Sequence, residues 1–263
     1  MTTRPRPSFP ARLDRLAAPA ARTAPLAAAA AGAPVRPQGL GLDSQAVRLA
    51  MVQKLAAQGI RDARVLDAMG RIERHRFVDT ALATQAYEDT SLPIGLGQTI
   101  SKPGVVARMA ELLLAGHDQG RSESRGERMG RVLEIGTGCG YQAAVLSLLV
   151  KEVYSVERLR GLHEKARENL RPLRLPNVHL LFGDGMLGYA QGAPYAGIIA
   201  AAGGEAVPQA WIDQLAVGGR LVAPVAAAGG GGQALMVIDR TAQGVQQHCL
   251  EAVHFVPLKS GIA

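Results

Sequence analysis

The chain has 263 residues, 48% of them apolar, enough for a sizeable core in one large domain or two small ones. Its formal net charge is +7, but residues 1–40 hold six Arg against one Asp, which leaves only +2 for residues 41–263. A nearly neutral body argues against a nucleic-acid groove, the lack of a long apolar run against a membrane span, and two isolated cysteines against a disulfide framework or a cysteine zinc site.

Residues 1–40 contain seven of the fifteen prolines and many alanines. Such a stretch has little to bury, so it reads as a disordered tail rather than a secretion signal. The expected domain is 41–263. Ser44 is placed to cap a helix over 44–58 with Val47, Met51, Val52 and Leu55 on one side and Gly59 at its end. Asp62 is placed to cap a second helix, with Val65, Leu66, Met69 and Ile72 at helical spacing. The charge run 71–76 reads as a solvated helix face. "LPIGLGQTISKP" (92–103) reads as a glycine-punctuated loop, and Pro103 as the start of a helix through Val106, Met109 and Leu113. Residues 116–130 read as a surface loop.

From there apolar strands and helices alternate. Strands are expected at 131–136, 152–157, 177–183, 196–202 and 219–225, with helices at 140–150, 159–170 and 208–215. That order predicts an α/β fold with a mostly parallel, doubly wound sheet. Residues 234–240 and 247–258 follow as strands without an intervening helix, which predicts an antiparallel edge. The glycine run in 226–232 reads as a mobile loop.

In such a sheet ligands bind at the carboxyl ends of the strands, so "VLEIGTGCGYQAA" (132–144) sits at the site. Its spacing is G-x-G-x-G, one residue short of the dinucleotide fingerprint. Glu134 precedes the glycines, where a carboxylate would repel a pyrophosphate. Both features favour a ligand without phosphates. Glu157 ends the second strand, where a carboxylate can accept from ribose hydroxyls; alone it reads equally as a solvated strand end. Asp184 of "FGDG" ends the third, where it can accept from an adenine amino group; alone it is a turn residue. No P-loop, G-x-S-x-G elbow or H-E-x-x-H stands in the sequence.

These residues together resemble the Rossmann-like class I S-adenosylmethionine-dependent methyltransferases. "LPIGLGQTIS-P", "LEIGTGCGYQAA", "SVER", "GDG", "VPQAWIDQLAVGGRLVAPV" and "VHFVPL" resemble, in order and spacing over about residues 44–260, the protein-L-isoaspartate (D-aspartate) O-methyltransferase family. The resemblance implies S-adenosyl-L-methionine as cofactor, S-adenosyl-L-homocysteine as product and no metal. It implies that Ser101 is the active-site serine, and that Gln98, Thr99, Ile100 and Ser101 line the pocket. Gly136, Gly138, Cys139 (through its backbone) and Gly140 would lie beneath the cofactor, Glu157 would bind its ribose, and Asp184 with Gly185 its adenine. Val256 and Leu258 would help Ser101 hold the substrate peptide.

The reaction so implied is methylation of the α-carboxylate of L-isoaspartyl residues in damaged proteins, in the cytoplasm, by a monomeric enzyme with no nucleic-acid or membrane partner. Ser101 taken by itself also reads as a loop serine capping the next helix. Three departures from the family pattern stand out. Gly104 follows the loop's proline, which implies a more open rim. Ala196 stands where Asp follows the aromatic. Gly203 and Gly204 imply a looser loop beside the site. Rival readings are another methyltransferase, a nicotinamide-dependent oxidoreductase, and a binding protein that has lost catalysis.

Overall fold

The computed structural model describes residues 45–119, 128–227 and 231–263. The expected tail at 1–40, the Ser44 cap, and parts of the two expected loops (120–127 and 228–230) lie outside the described residues.

Helix α1 (Gln45–Ala57) buries Met51 and Leu55, and Gly59 follows it with a φ of +107°. Helix α2 (Ala63–Arg71) begins at Asp62, whose side chain accepts from the Arg64 N–H as expected. A 3₁₀ turn over Arg74–Phe77 comes next. Here the structure departs from the sequence reading. The charge run is not a solvated helix face, because Arg74 and Phe77 are buried.

The stretch at 92–103 also differs from expectation. It forms a two-stranded hairpin of β1 (Leu92–Gly95) and β2 (Gln98–Ile100), antiparallel, rather than a loop. Leu92 and Ile94 face inward, and Leu96 and Gly97 turn the chain with φ of +53° and +70°. Two positive φ values in a row make the tight connection that matches strand twist. Helix α3 (Pro103–Gln119) starts where Pro103 predicts and extends four residues into the polar stretch expected to be loop.

The main sheet has the order β5-β4-β3-β6-β7-β8-β9. Its parallel part comprises β3 (Met129–Ile135), β4 (Val150–Glu157), β5 (Val178–Phe182), β6 (Tyr195–Ala200) and β7 (Leu215–Ala226). The crossovers carry α4 (Tyr141–Leu149), α5 (Arg160–Leu170) and the short α6 (Gln209–Gln214). Strands β8 (Gln233–Thr241) and β9 (Gly244–Val253) add the antiparallel edge, with β9 outermost.

Helix α4 is apolar on nearly every side and correspondingly buried, since α2 covers the flank that the sheet does not. The N-terminal helices thus belong to the same core as the sheet. Strand β3 pairs with β4 on one side and β6 on the other, so its carboxyl end is the switch point where a crevice opens.

The last strand stops at Val253, short of the expected 258. Residues 254–258 leave the sheet and cross toward the end of β6. There the Gly203 N–H donates to Val256 O (2.9 Å) and the Leu258 N–H to Gly203 O (2.8 Å). The glycine pair at 203–204 is therefore pinned, not loose as its composition implies.

Candidate active site

The crevice at the end of β3 is a cavity of about 260 Å³. The β1–β2 hairpin, the glycine turn, the end of β4 and the terminal segment wall it. Of the residues singled out from sequence, Gln98, Thr99, Ile100, Ser101, Gly136, Gly138, Cys139, Glu157, Gly185, Val256 and Leu258 line it. Gly140 and Asp184 do not.

The glycine turn is built by two demands. Gly138 has a φ of +57°, and a Cβ there would come within 3.2 Å of Ile94 on the hairpin. Gly140 begins α4 at a φ of +90°, and a Cβ there would press on Leu170 of α5 at 2.9 Å. Gly140 is thus a helix-packing glycine behind the wall. Cys139 is buried, its thiol is pushed up to about 11 by desolvation, and its carbonyl accepts from Asn169 Nδ2 at 2.9 Å.

Glu157 is 5% exposed. Its Oε2 accepts from the Gly138 N–H (2.9 Å) and its Oε1 from the Leu159 N–H (2.9 Å). Each oxygen keeps a second lone pair, so the carboxylate can receive two further donors from a vicinal diol while holding the turn. At the next strand end Asp184 Oδ1 accepts from the Met186 N–H (2.8 Å) and Oδ2 from the Gly261 N–H (2.7 Å). Gly185, beside it, is on the wall, and its carbonyl accepts from Trp211 Nε1 at 2.8 Å.

Ser101 lies between β2 and α3. It does not cap the helix. The Gly104 N–H at the helix start donates instead to Asp89 Oδ1 at 2.7 Å, which leaves the Ser101 hydroxyl without a partner among the described residues. The same contact revises the expectation of an open rim. A Cβ at Gly104 would meet Asp89 Oδ1 at 2.9 Å, so the carboxylate occupies that space.

This constellation is carried by a chain that matches the sequence model for protein-L-isoaspartate(D-aspartate) O-methyltransferase over residues 46–263. A protein-L-isoaspartate O-methyltransferase of Methylibium petroleiphilum is 60% identical over 98% of this chain and 97% of that protein. One of Leptothrix cholodnii is 59% identical over 85% and 77%. The chain belongs to the protein-L-isoaspartate(D-aspartate) O-methyltransferase family. A solved structure of a protein-L-isoaspartate O-methyltransferase superposes with a TM-score of 0.70 at 28% identity, over 81% of this chain and 66% of that one. A Plasmodium falciparum chain solved with S-adenosyl-L-homocysteine shares the fold at a TM-score of 0.67 and 22% identity, over 81% and 98%.

Within this isoaspartate methyltransferase fold, further residues outside the expected site set support the wall. Lys165 donates to Ile94 O (3.0 Å) and ties α5 to the hairpin. Trp211 holds Gly185 through the hydrogen bond from its indole N–H. Glu134 is fully buried beneath the turn, accepting from Ser155 Oγ at 2.5 Å, with Thr137 Oγ1 2.6 Å from that same hydroxyl. Burial pushes its carboxyl up to about 8. Glu134 is therefore mostly protonated at neutral pH and off the cavity wall, so the charge repulsion read from sequence does not operate.

Glu134 gives a pH signature. Native protein holds a proton up to about pH 8 that the unfolded chain releases near 4.5. Its contribution to stability is full below the lower value and fades as pH rises through the upper one. The melting temperature of Glu134→Gln should gain on that of the wild type between about pH 5 and about pH 9. Parallel pH profiles for the two proteins would contradict the assignment.

Proposed function

We propose that this cavity is where the family's reaction takes place, with the site residues in the following roles. The protein is a repair methyltransferase that moves the methyl of S-adenosyl-L-methionine to the α-carboxylate of an L-isoaspartyl residue. The resulting ester closes to a succinimide, and hydrolysis returns part of it to aspartate. The observation that carries the placement is Glu157, a nearly buried carboxylate with both oxygens held by backbone N–H groups on the cavity wall.

The wall fits the cofactor. Gly136 and Gly138 remove side chains from the turn, Glu157 offers acceptors for the ribose, and Gly185 leaves the backbone open for the adenine. Asp184, behind Gly185, is assigned to the adenine amino group through the lone pairs its two backbone donors leave free. Gly140 acts through the geometry of the turn and Cys139 through its backbone. When bound, S-adenosylmethionine supplies a methyl group on a positively charged sulfur.

The chain's own residues have mainly to align and desolvate. An acceptor carboxylate is ionised at neutral pH and needs no general base. Charge is neutralised as the bond forms, so excluding water favours the step. The free Ser101 hydroxyl donates to the acceptor carboxylate and orients it. Gln98, Thr99 and Ile100 shape the pocket's hairpin side, and Val256 and Leu258 hold the peptide opposite. No covalent enzyme intermediate forms.

The same proposal covers setting. The body at 41–263 acts as one methyltransferase domain, a monomer of the cytoplasm, on isoaspartyl proteins and peptides, without nucleic acid or membrane. The near-neutral charge of that body and its two isolated cysteines support this, and no helix among the described residues is long and apolar enough to cross a membrane. The test is methyl transfer from labelled cofactor to an isoaspartyl peptide. A base-labile methyl ester on the peptide is expected; absence of transfer would overturn the proposal.

A further inference from the structure

Arg74, on the 3₁₀ turn after α2, has 0% exposure. Its Nε donates to Ala86 O at 2.8 Å and its Nη2 to Thr90 O at 3.5 Å, while Nη1 has no hydrogen-bond partner. It makes no ion pair with a described carboxylate, although the Asp89 charge attracts it from farther away. The guanidinium carbon lies over the Tyr141 ring, 4.8 Å from its centroid. On Tyr141's other contacts, Phe77 meets it edge-on at 5.5 Å and its hydroxyl donates to Met69 Sδ at 3.7 Å. Tyr141 and Cys139 both belong to the cavity wall.

A buried cation with no carboxylate in direct contact is costly, and Asp89 attracts Arg74 only from beyond ion-pair distance. Two neutral carbonyls, the Tyr141 side chain and the more distant Asp89 do not repay that cost, and desolvation accordingly lowers the group's pKa. Such a charge is worth keeping where an anion arrives from outside. The reaction proposed above brings two carboxylates to the cavity, one on the amino-acid end of the cofactor and one on the acceptor.

We propose that Arg74 is a positioning residue whose charge, acting from behind the Tyr141 ring, draws a ligand carboxylate into place in the cavity. The role rests on the S-adenosylmethionine reading of the site. It differs from a purely structural one, in which Arg74 only ties down residues 86–90, whose Asp89 then fixes the start of α3.

The experiment compares wild type, Arg74→Gln and Arg74→Lys. Calorimetry gives affinities for S-adenosylhomocysteine and for S-adenosyl-3-thiopropylamine, the same molecule without its carboxylate. Kinetics at saturating cofactor gives KM and kcat for an isoaspartyl peptide. A unit charge acting over about 12 Å at an effective dielectric of about 20 is worth roughly tenfold in affinity. If the cofactor's carboxylate is the partner, Arg74→Gln loses about tenfold for S-adenosylhomocysteine and little for the decarboxylated ligand. If the acceptor's is, the peptide KM rises about tenfold with kcat retained. Arg74→Lys, which keeps the charge, should restore whichever constant moved.

Equal losses for both adenosyl ligands with an unchanged peptide KM would overturn the role and leave a structural arginine. Should Arg74→Gln not fold, Arg74→Lys decides alone: near-wild-type constants support the charge, and a loss shared by both adenosyl ligands overturns it. Failure of the wild type to bind S-adenosylhomocysteine would sink the cofactor reading itself, a result distinct from either.

Discussion

Glu157→Ala is expected to weaken S-adenosylhomocysteine binding by about two orders of magnitude, because two charge-assisted hydrogen bonds to the ribose are lost at roughly 1.5 kcal/mol or more each. The structure adds a second cost. The Gly138 and Leu159 N–H groups lose their acceptor, so the glycine turn and the entry to α5 loosen together. Glu157→Gln keeps one carbonyl oxygen but sets an amide donor against one of those two N–H groups. Its affinity should fall between those of the other two proteins. Calorimetric titration orders the three, and an alanine variant that binds as the wild type does would remove Glu157 from the site.

Ser101→Ala should act on a different constant. The hydroxyl has no protein partner among the described residues, so its loss leaves a neighbour unsatisfied nowhere and the melting temperature should not move. Cofactor binding should also persist. Turnover should fall by about 100-fold, the scale of misplacing a reacting group in an in-line displacement. Residual activity is expected, because the serine orients the acceptor and carries no covalent intermediate. Unchanged kcat, or a methyl-enzyme or acyl-enzyme trapped by mass spectrometry, would contradict that role.

Much of the fold was legible because the α/β half announces itself. Each apolar run is ended by a charged or glycine residue at the point where the chain reverses, and the observed strands keep those ends: Ile135 before Gly136, Glu157, and Phe182 before Gly183-Asp184. The hairpin was not legible. Only Leu92 and Ile94 alternate before Gly95, Leu96 and Gly97 break the pattern, and two inward residues are too few to show a period of two. The end of β9 was lost for the opposite reason. "AVHFVPL" continues an apolar run, and only tertiary pairing with Gly203 shows that its last residues have left the sheet.

The site divides in the same way. Glu157 was readable as a carboxylate in register with the glycine turn, and the structure places it there. Gly140 has the composition of a ligand glycine, but the neighbour that demands a missing Cβ is Leu170, far along the chain. Arg74 stands in a run of charges, and nothing local distinguishes the one guanidinium that is buried from its exposed neighbours at 71 and 76. Its partners, Ala86, Thr90 and Tyr141, are brought together only by the packing of the N-terminal helices on α4. Glu134 looked like a charge at the site because sequence does not report burial, and burial is what keeps it protonated.

The central claim is that this cavity transfers a methyl group to an isoaspartyl carboxylate. The most direct test uses two synthetic peptides, identical except for one L-isoaspartyl or one normal aspartyl residue, with labelled S-adenosylmethionine. Label is expected as a base-labile ester on the isoaspartyl peptide alone. Equal labelling of both peptides, or of neither while S-adenosylhomocysteine still binds, would contradict it.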